Sequence, residues 1–146
     1  MARTARMARK DPIPPLTPLQ VDLMRILWER GEATAAEVHG ALASARGLAP
    51  TTGATLLRRL EKRGLVAHRS EGRQFVYRPA VAEDAARDAM VGELAERLFD
   101  GDAGRLVHHL IARHEIAPGD LARVRALIEA REREQRGAAE DRNGRN

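Results

Sequence analysis

The sequence predicts a mainly α-helical chain with one small β-wing, on three observations. Its 146 residues include only two Phe, one Tyr and one Trp, so a core must be assembled from Leu, Val, Ile and Ala, a palette that suits helix packing. From Leu19 to Ile128 the apolar residues recur mostly three and four apart, the period of an amphipathic helix. The exception is 65–78, where two short β-rich runs flank Ser70-Glu71-Gly72-Arg73, as in a hairpin.

The elements follow in order. Segment 1–15 has no hydrophobic period and ends in Pro12, Pro14 and Pro15; it is expected to be a disordered arm, made basic by Arg3, Arg6, Arg9 and Lys10. Thr17-Pro18-Leu19-Gln20 starts the first helix: Thr17 caps, Pro18 suits the first helical position, and Gln20 closes a capping box. Leu19, Leu23, Ile26 and Leu27 form its apolar stripe, Trp28 beside them is assigned to the core, and Gly31 ends it. Residues 32–34 are able to add a short strand to the hairpin. Thr34-Ala35-Ala36-Glu37 is a second capping box and opens a short helix to about Ala45, with Val38 and Leu42 inward.

A third helix is predicted over 50–63. At 100° per residue, Gly53, Leu56, Leu57 and Leu60 fall on one side, and Thr51, Ala54, Thr55, Arg58, Arg59 and Lys62 on the other. Ala49 offers no capping atom, so Thr51 or Thr52 caps the helix or its first amides stay open. Gly53 costs about 1 kcal/mol against Ala in a helix; on the buried side it allows close approach to a neighbour. Gly64 stops the helix. In the hairpin, Phe75 and Tyr77 share one face, expected to pack on the helices, and Val76 takes the other. Arg69 and Arg73 flank the tip, and Pro79 ends the unit. Helix, short helix, turn, helix and hairpin make a winged helix-turn-helix over 16–79.

Three further helices follow: 83–98 with Met90, Leu94 and Leu98; 102–114 with Leu106, Val107, Leu110 and Ile111; 118–136 with Leu121, Val124, Leu127 and Ile128. So short a set buries little by itself. Met90, Leu94, Leu98, Leu106, Leu110, Leu121, Val124 and Ile128 are therefore expected to meet a second copy, making 80–136 a dimerisation region, with 137–146 a disordered tail.

Net charge is only +4, but 46–78 holds eight basic and two acidic residues, so this segment carries +6 and the remainder −2. Positive charge concentrated on a helix and hairpin suits double-stranded DNA. Thr51, Thr52, Thr55 and Arg58 are expected to face base edges or adjoining phosphates, and Arg59, Lys62, Arg69 and Arg73 the phosphates. The competing readings are a solvated charged face and a winged-helix protein-interaction module without a direct DNA role. The absence of Cys excludes disulfides, Cys-ligated metals and Cys nucleophiles. No apolar run approaches the length of a membrane span. No nucleophile–base arrangement or Gly-rich phosphate loop is present, so neither an enzyme nor a cofactor is expected. His108 and His109 diverge on a helix, and His109 and His114, five apart, face different ways; no metal site is expected.

Leu16 to Trp28 (LTPLQVDLMRILW), 31–38 (GEATAAEV), 50–60, 62–65 (KRGL) and 72–79 (GRQFVYRP) together resemble the penicillinase-repressor family, also called BlaI/MecI/CopY, over about 16–128. The resemblance implies a cytoplasmic homodimeric repressor. It would bind dyad operators, such as those of β-lactam-resistance genes, through a winged helix. In antibiotic-responsive members a membrane sensor peptidase signals and the repressor is cut at an Asn-Phe bond in its dimerisation helix; the pair aligned here is His109-Leu110. Where the family often reads Ser-Pro-Lys-Thr-Val, this chain has Ala49-Pro50-Thr51-Thr52-Gly53 and lacks the Lys. The Cys-rich metal motif of copper-responsive members is absent.

Overall fold

Two capping boxes fix where the first helices begin. Thr17 Oγ1 accepts the N–H of Gln20 at 3.2 Å, and Gln20 Oε1 accepts the N–H of Thr17 at 3.0 Å, so α1 (Pro18–Arg30) starts with its first donors satisfied. Ahead of α2 (Ala35–Arg46), Thr34 Oγ1 accepts the N–H of Glu37 at 3.2 Å and donates to the Glu37 carboxylate at 3.1 Å. The structure, a computed structural model, describes residues 13–46 and 52–145. The other elements are β1 (Ala33–Thr34), α3 (Thr52–Lys62), β2 (Val66–Glu71), β3 (Gln74–Pro79), α4 (Glu83–Phe99), α5 (Ala103–Arg113) and α6 (Pro118–Asn143). The strands form one antiparallel sheet in the order β1-β3-β2. Three helices and this sheet are the winged helix-turn-helix that the sequence predicts. Residues 1–12 of the expected arm, and Thr51 with the turn before it, lie outside the described residues. Ile13 already packs against the core, so the folded part begins before the expected boundary at 16.

The core is aliphatic. Leu23, Met24 and Leu27 from α1, Val38 and Leu42 from α2, Leu57 and Leu60 from α3, and Leu65 are all at 0% exposure. In α1 the buried stripe is Gln20, Leu23, Met24 and Leu27, at spacings of three, one and three, while Leu19 and Ile26 are only partly buried. Gln20 can be buried because its side-chain oxygen is occupied in the capping box. Trp28 packs against the core and donates its Nε1–H to the Val81 carbonyl at 2.9 Å.

The chain divides into two units, 1–101 and 102–146. α4 belongs to the first, not to the later helices as the boundary at 80 expects. Its Ala86 and Ala95 are buried, and Met90, assigned above to a second copy, packs against the first unit's core. In the second unit, Asp102 Oδ1 caps α5 by accepting the N–H of Arg105 at 3.1 Å. Neither α5 nor α6 has a buried residue. α6 continues to Asn143, through most of the segment expected to be a disordered tail. Arg131 pairs with Glu134 at 3.9 Å within this helix, and Arg145, just past its end, with Asp141 at 3.6 Å, spacings that favour an exposed helix. Among the described residues no helix is long and apolar enough to cross a membrane.

Candidate nucleic-acid interface

The interface is built on α3, which is held from behind and stopped cleanly in front of the wing. Gly53, Leu56, Leu57 and Leu60 are buried. A Cβ placed on Gly53 would lie 3.2 Å from His39 Cβ and 3.3 Å from His39 Cα; the bare glycine is what lets α3 approach α2 this closely. At the other end Gly64 has φ +77°. Its N–H donates to the Glu61 carbonyl, and the N–H of Leu65 donates to the Leu60 carbonyl, both at 2.9 Å. This pair of bonds is a Schellman stop, with Leu60 and Leu65 as its apolar contact. The chain therefore leaves α3 in a defined direction, directly into β2.

On the other side of α3, Arg58, Arg59 and Lys62 are exposed, and Thr52, Ala54 and Thr55 are half-buried. The spacing places Thr52, Thr55, Arg58, Arg59 and Lys62 on one face. Arg58, Arg59 and Lys62 form no ion pair with another described residue, so this face keeps its positive charge for a phosphate backbone. Thr51 would continue the face but lies outside the described residues.

The wing differs from expectation in three details. β2 runs on through Ser70 and Glu71, leaving a two-residue turn of Gly72 and Arg73. Tyr77 is buried at 4% exposure, but Phe75, on the same face, is 49% exposed. It reaches past the edge of the core and lies against the His68 ring instead, with centroids 4.2 Å apart. Arg73 at the turn is exposed, with no ion pair among the described residues, but Arg69 is not available in the same way. Its guanidinium pairs with Glu32 and Glu71, both at 3.0 Å. Arg69 lies opposite Val76, which lies opposite Thr34 on β1. To reach Glu32, beside β1, the Arg69 side chain spans β3, where Val76 is 8% exposed on the outer face. The side chain straps the sheet and its charge is compensated. Arg69→Ala is accordingly expected to lower the salt slope of DNA binding by less than half of the roughly 0.9 that a phosphate-contacting cation contributes. Anisotropy titrations at several salt concentrations check this.

The joint between α3 and the wing holds Glu61, His68, Phe75 and Tyr77. His68 Nδ1 contacts Glu61 Oε1, and the His68 and Tyr77 rings lie 5.5 Å apart. Burial pushes the Tyr77 phenol above its ordinary value, the Glu61 carboxylate adds to the rise, and Arg58 opposes it. The phenol is therefore neutral at physiological pH. Neither Glu61 nor His68 is among the expected site residues; the lone acid beside the basic face of the helix is the available signal.

In the second unit, the expected meeting points Leu110, Leu121 and Ile128 are 41–45% exposed, and Leu106 and Val124 are half-buried. In the first, Leu94 and Leu98 are exposed. The His109 and Leu110 pair sits inside α5. Contrary to the helical projection, the His109 and His114 rings approach to 6.1 Å. His114 is the C-cap, with extended φ and ψ of −116° and 147°, so its ring does not follow the helical period. Among the described residues no three potential metal ligands converge.

The model of the penicillinase repressor family matches residues 16–130. Transcriptional regulator BlaI of Mycobacterium tuberculosis is 35% identical over 113 residues, 76% of this chain and 81% of that protein. The penicillinase repressor of Bacillus licheniformis is 24% identical over 117 residues, covering 80% and 91%. Among solved structures, the monomeric form of Bacillus licheniformis BlaI in complex with the blaP half-operator is 33% identical, covering 50% of this chain and 89% of that one, with a TM-score of 0.45. With a family match spanning both units and a winged helix at its N-terminal end, the chain belongs to the penicillinase repressor family.

Proposed function

We propose that this protein is a dimeric, sequence-specific DNA-binding transcriptional repressor. The observation that carries the reading is the uncompensated basic face of α3, with Arg58, Arg59 and Lys62 exposed beside the Arg73 turn of the wing. Thr51, Thr52, Thr55 and Arg58 read bases at the N-terminal part of the helix; Arg59, Lys62 and Arg73 anchor the backbone, and Arg69 contributes less. The family points to genes of antibiotic resistance, β-lactam resistance among them, or a related stress response. It also points to release by an inducing signal through a membrane sensor peptidase. A cut between His109 and Leu110 would require α5 to open first, since both residues lie within it. A genome-wide footprint of the bound protein tests the reading: dyad sites upstream of a small gene set are expected, and random occupancy would refute sequence-specific repression.

Dimerisation follows from faces that the chain leaves uncovered. Val107, Leu110 and Ile111 on α5 and Leu121, Leu127 and Ile128 on α6 are 41–70% exposed. Burying a Leu side chain is worth roughly 1.5–3 kcal/mol, and two-fold symmetry counts each residue twice. Leu110→Asp or Leu121→Asp is therefore expected to weaken dimerisation by at least ~100-fold, with the first unit still folded. Sedimentation equilibrium checks this; a variant that stays dimeric at the same concentration rules out these residues as the interface.

A further inference from the structure

The joint between α3 and the wing carries an inference that rests on the DNA-binding reading and goes beyond it. Glu61 is the only carboxylate on α3, among Arg58, Arg59 and Lys62. It borders the basic face and opposes any phosphate brought there. His68, from β2, contacts it directly, and the two side chains are 30% and 32% exposed. The ring of His68 is fixed further by Phe75 and Tyr77 of β3, at 4.2 and 5.5 Å. The charged and titratable groups around His68 are thus Glu61 and Arg58 from α3 and Tyr77 from β3, with Lys62 next to Glu61 in the chain. Tyr77 stays neutral because burial raises its phenol. β1 lies across β3 from β2, so it places no charge against the ring.

We propose that Glu61 and His68 are positioning residues for DNA binding: the imidazolium form of His68 pins the wing to α3 and cancels the acid that borders the binding face. Histidine is the side chain that changes charge near neutral pH. With His68 neutral, Glu61 leaves a net negative charge at the joint. With His68 charged, the joint is neutral and the tie between α3 and the wing is an ion pair. A phosphate backbone adds negative potential and so favours the charged ring. By reciprocity, charging the ring favours the backbone. Binding therefore takes up a proton, and affinity rises as pH falls through the imidazole range, by at most tenfold per pH unit for one proton.

The test is anisotropy of a labelled random-sequence duplex at about 0.1 M salt, from pH 6 to 8.5. The wild type is expected to gain three- to tenfold in affinity on going from high to low pH. His68→Gln should bind with a flat profile at the wild type's alkaline level, and His68→Arg with a flat profile at its acid level. Glu61→Gln, which keeps a hydrogen-bond acceptor for His68, should bind more tightly than wild type at pH 8; a merely structural pair would make it weaker. The wild-type imidazole resonance of His68, followed by NMR without any substitution, should titrate at higher pH with the duplex than without it. A His68→Gln profile as steep as the wild type's, an unshifted His68 titration, or weakened Glu61→Gln binding overturns the proposal and leaves salt-dependent DNA binding intact. Absence of salt-dependent binding by the wild type at every pH overturns the DNA reading and this inference with it.

Discussion

Arg59→Ala, Lys62→Ala and Arg73→Ala combined are expected to lower the slope of log affinity against log salt by roughly 2.7, at about 0.9 for each phosphate no longer neutralised. The three cations are exposed and carry no ion pair within the described residues, so each is free to displace a counterion from DNA. Two lie three residues apart on α3, and the third is at the wing turn; together they would hold the backbone on both sides of the helix–wing joint. The loss is a salt-dependent one. It should amount to several hundredfold at 0.1 M salt and vanish on extrapolation to 1 M, because counterion release scales with the logarithm of salt concentration. It should be the same on random and specific sequences, since phosphates carry no sequence information. Arg58→Ala should behave differently, costing about 1–3 kcal/mol on the specific site and relaxing preference at one position. Arg131→Ala on α6, where the side chain is 75% exposed, is the control and should leave the slope unchanged. A combined variant with the wild-type slope would remove these residues from the interface.

The features of this fold that were legible in the sequence are those set by neighbours along the chain. Thr17 with Gln20 and Thr34 with Glu37 act across three residues, and the Gly64 stop across at most five, and the structure shows each of them. The stripe Leu56, Leu57 and Leu60 needs only the helical period. What escaped depends on residues far apart in the chain. Arg69 looks like a free wing cation until the sheet brings Glu32, thirty-seven residues earlier, within 3.0 Å. Alternation puts Phe75 on the face of Tyr77 but does not say where the core ends. The exposed Leu94 and Leu98 of α4 resemble the stripes of the later helices; Met90 joins α4 to the first unit's core, and periodicity alone does not say whether such a residue meets its own chain or a second copy. His114 escaped helical projection because the helix stops one residue earlier. The pairing of Glu61 with His68 is also between elements, and only the charge of Glu61 among basic neighbours marks it in the sequence.

Gly53→Val is expected to destabilise the first unit by about 1–3 kcal/mol, the usual cost of extra methylenes in a filled interface, and to weaken DNA binding with it. The first contact of a new Cβ is His39 Cβ at 3.2 Å, and the next is His39 Cα at 3.3 Å. Neither is the end of a flexible side chain, so no rotamer change clears the site; α2 and α3 must move apart. The Val branches enlarge the required shift beyond what Ala would need. Opposing this, any side chain is better than Gly inside a helix, by at most about 1 kcal/mol for Ala and less for β-branched Val, so the packing cost prevails. Displacing α3 also moves Arg58, Arg59 and Lys62 relative to the wing, which turns a stability defect into a binding defect even where the protein remains folded. Gly40→Ala on α2 is the matched control. A Cβ there meets nothing within 4 Å, so the substitution should stabilise by about 0.5–1 kcal/mol. In thermal unfolding, each 1 kcal/mol corresponds to roughly 4–8 °C for a unit of this size. The two variants should therefore shift the midpoint in opposite directions. If both raise it, the close approach of α2 and α3 at Gly53 is not what the glycine provides.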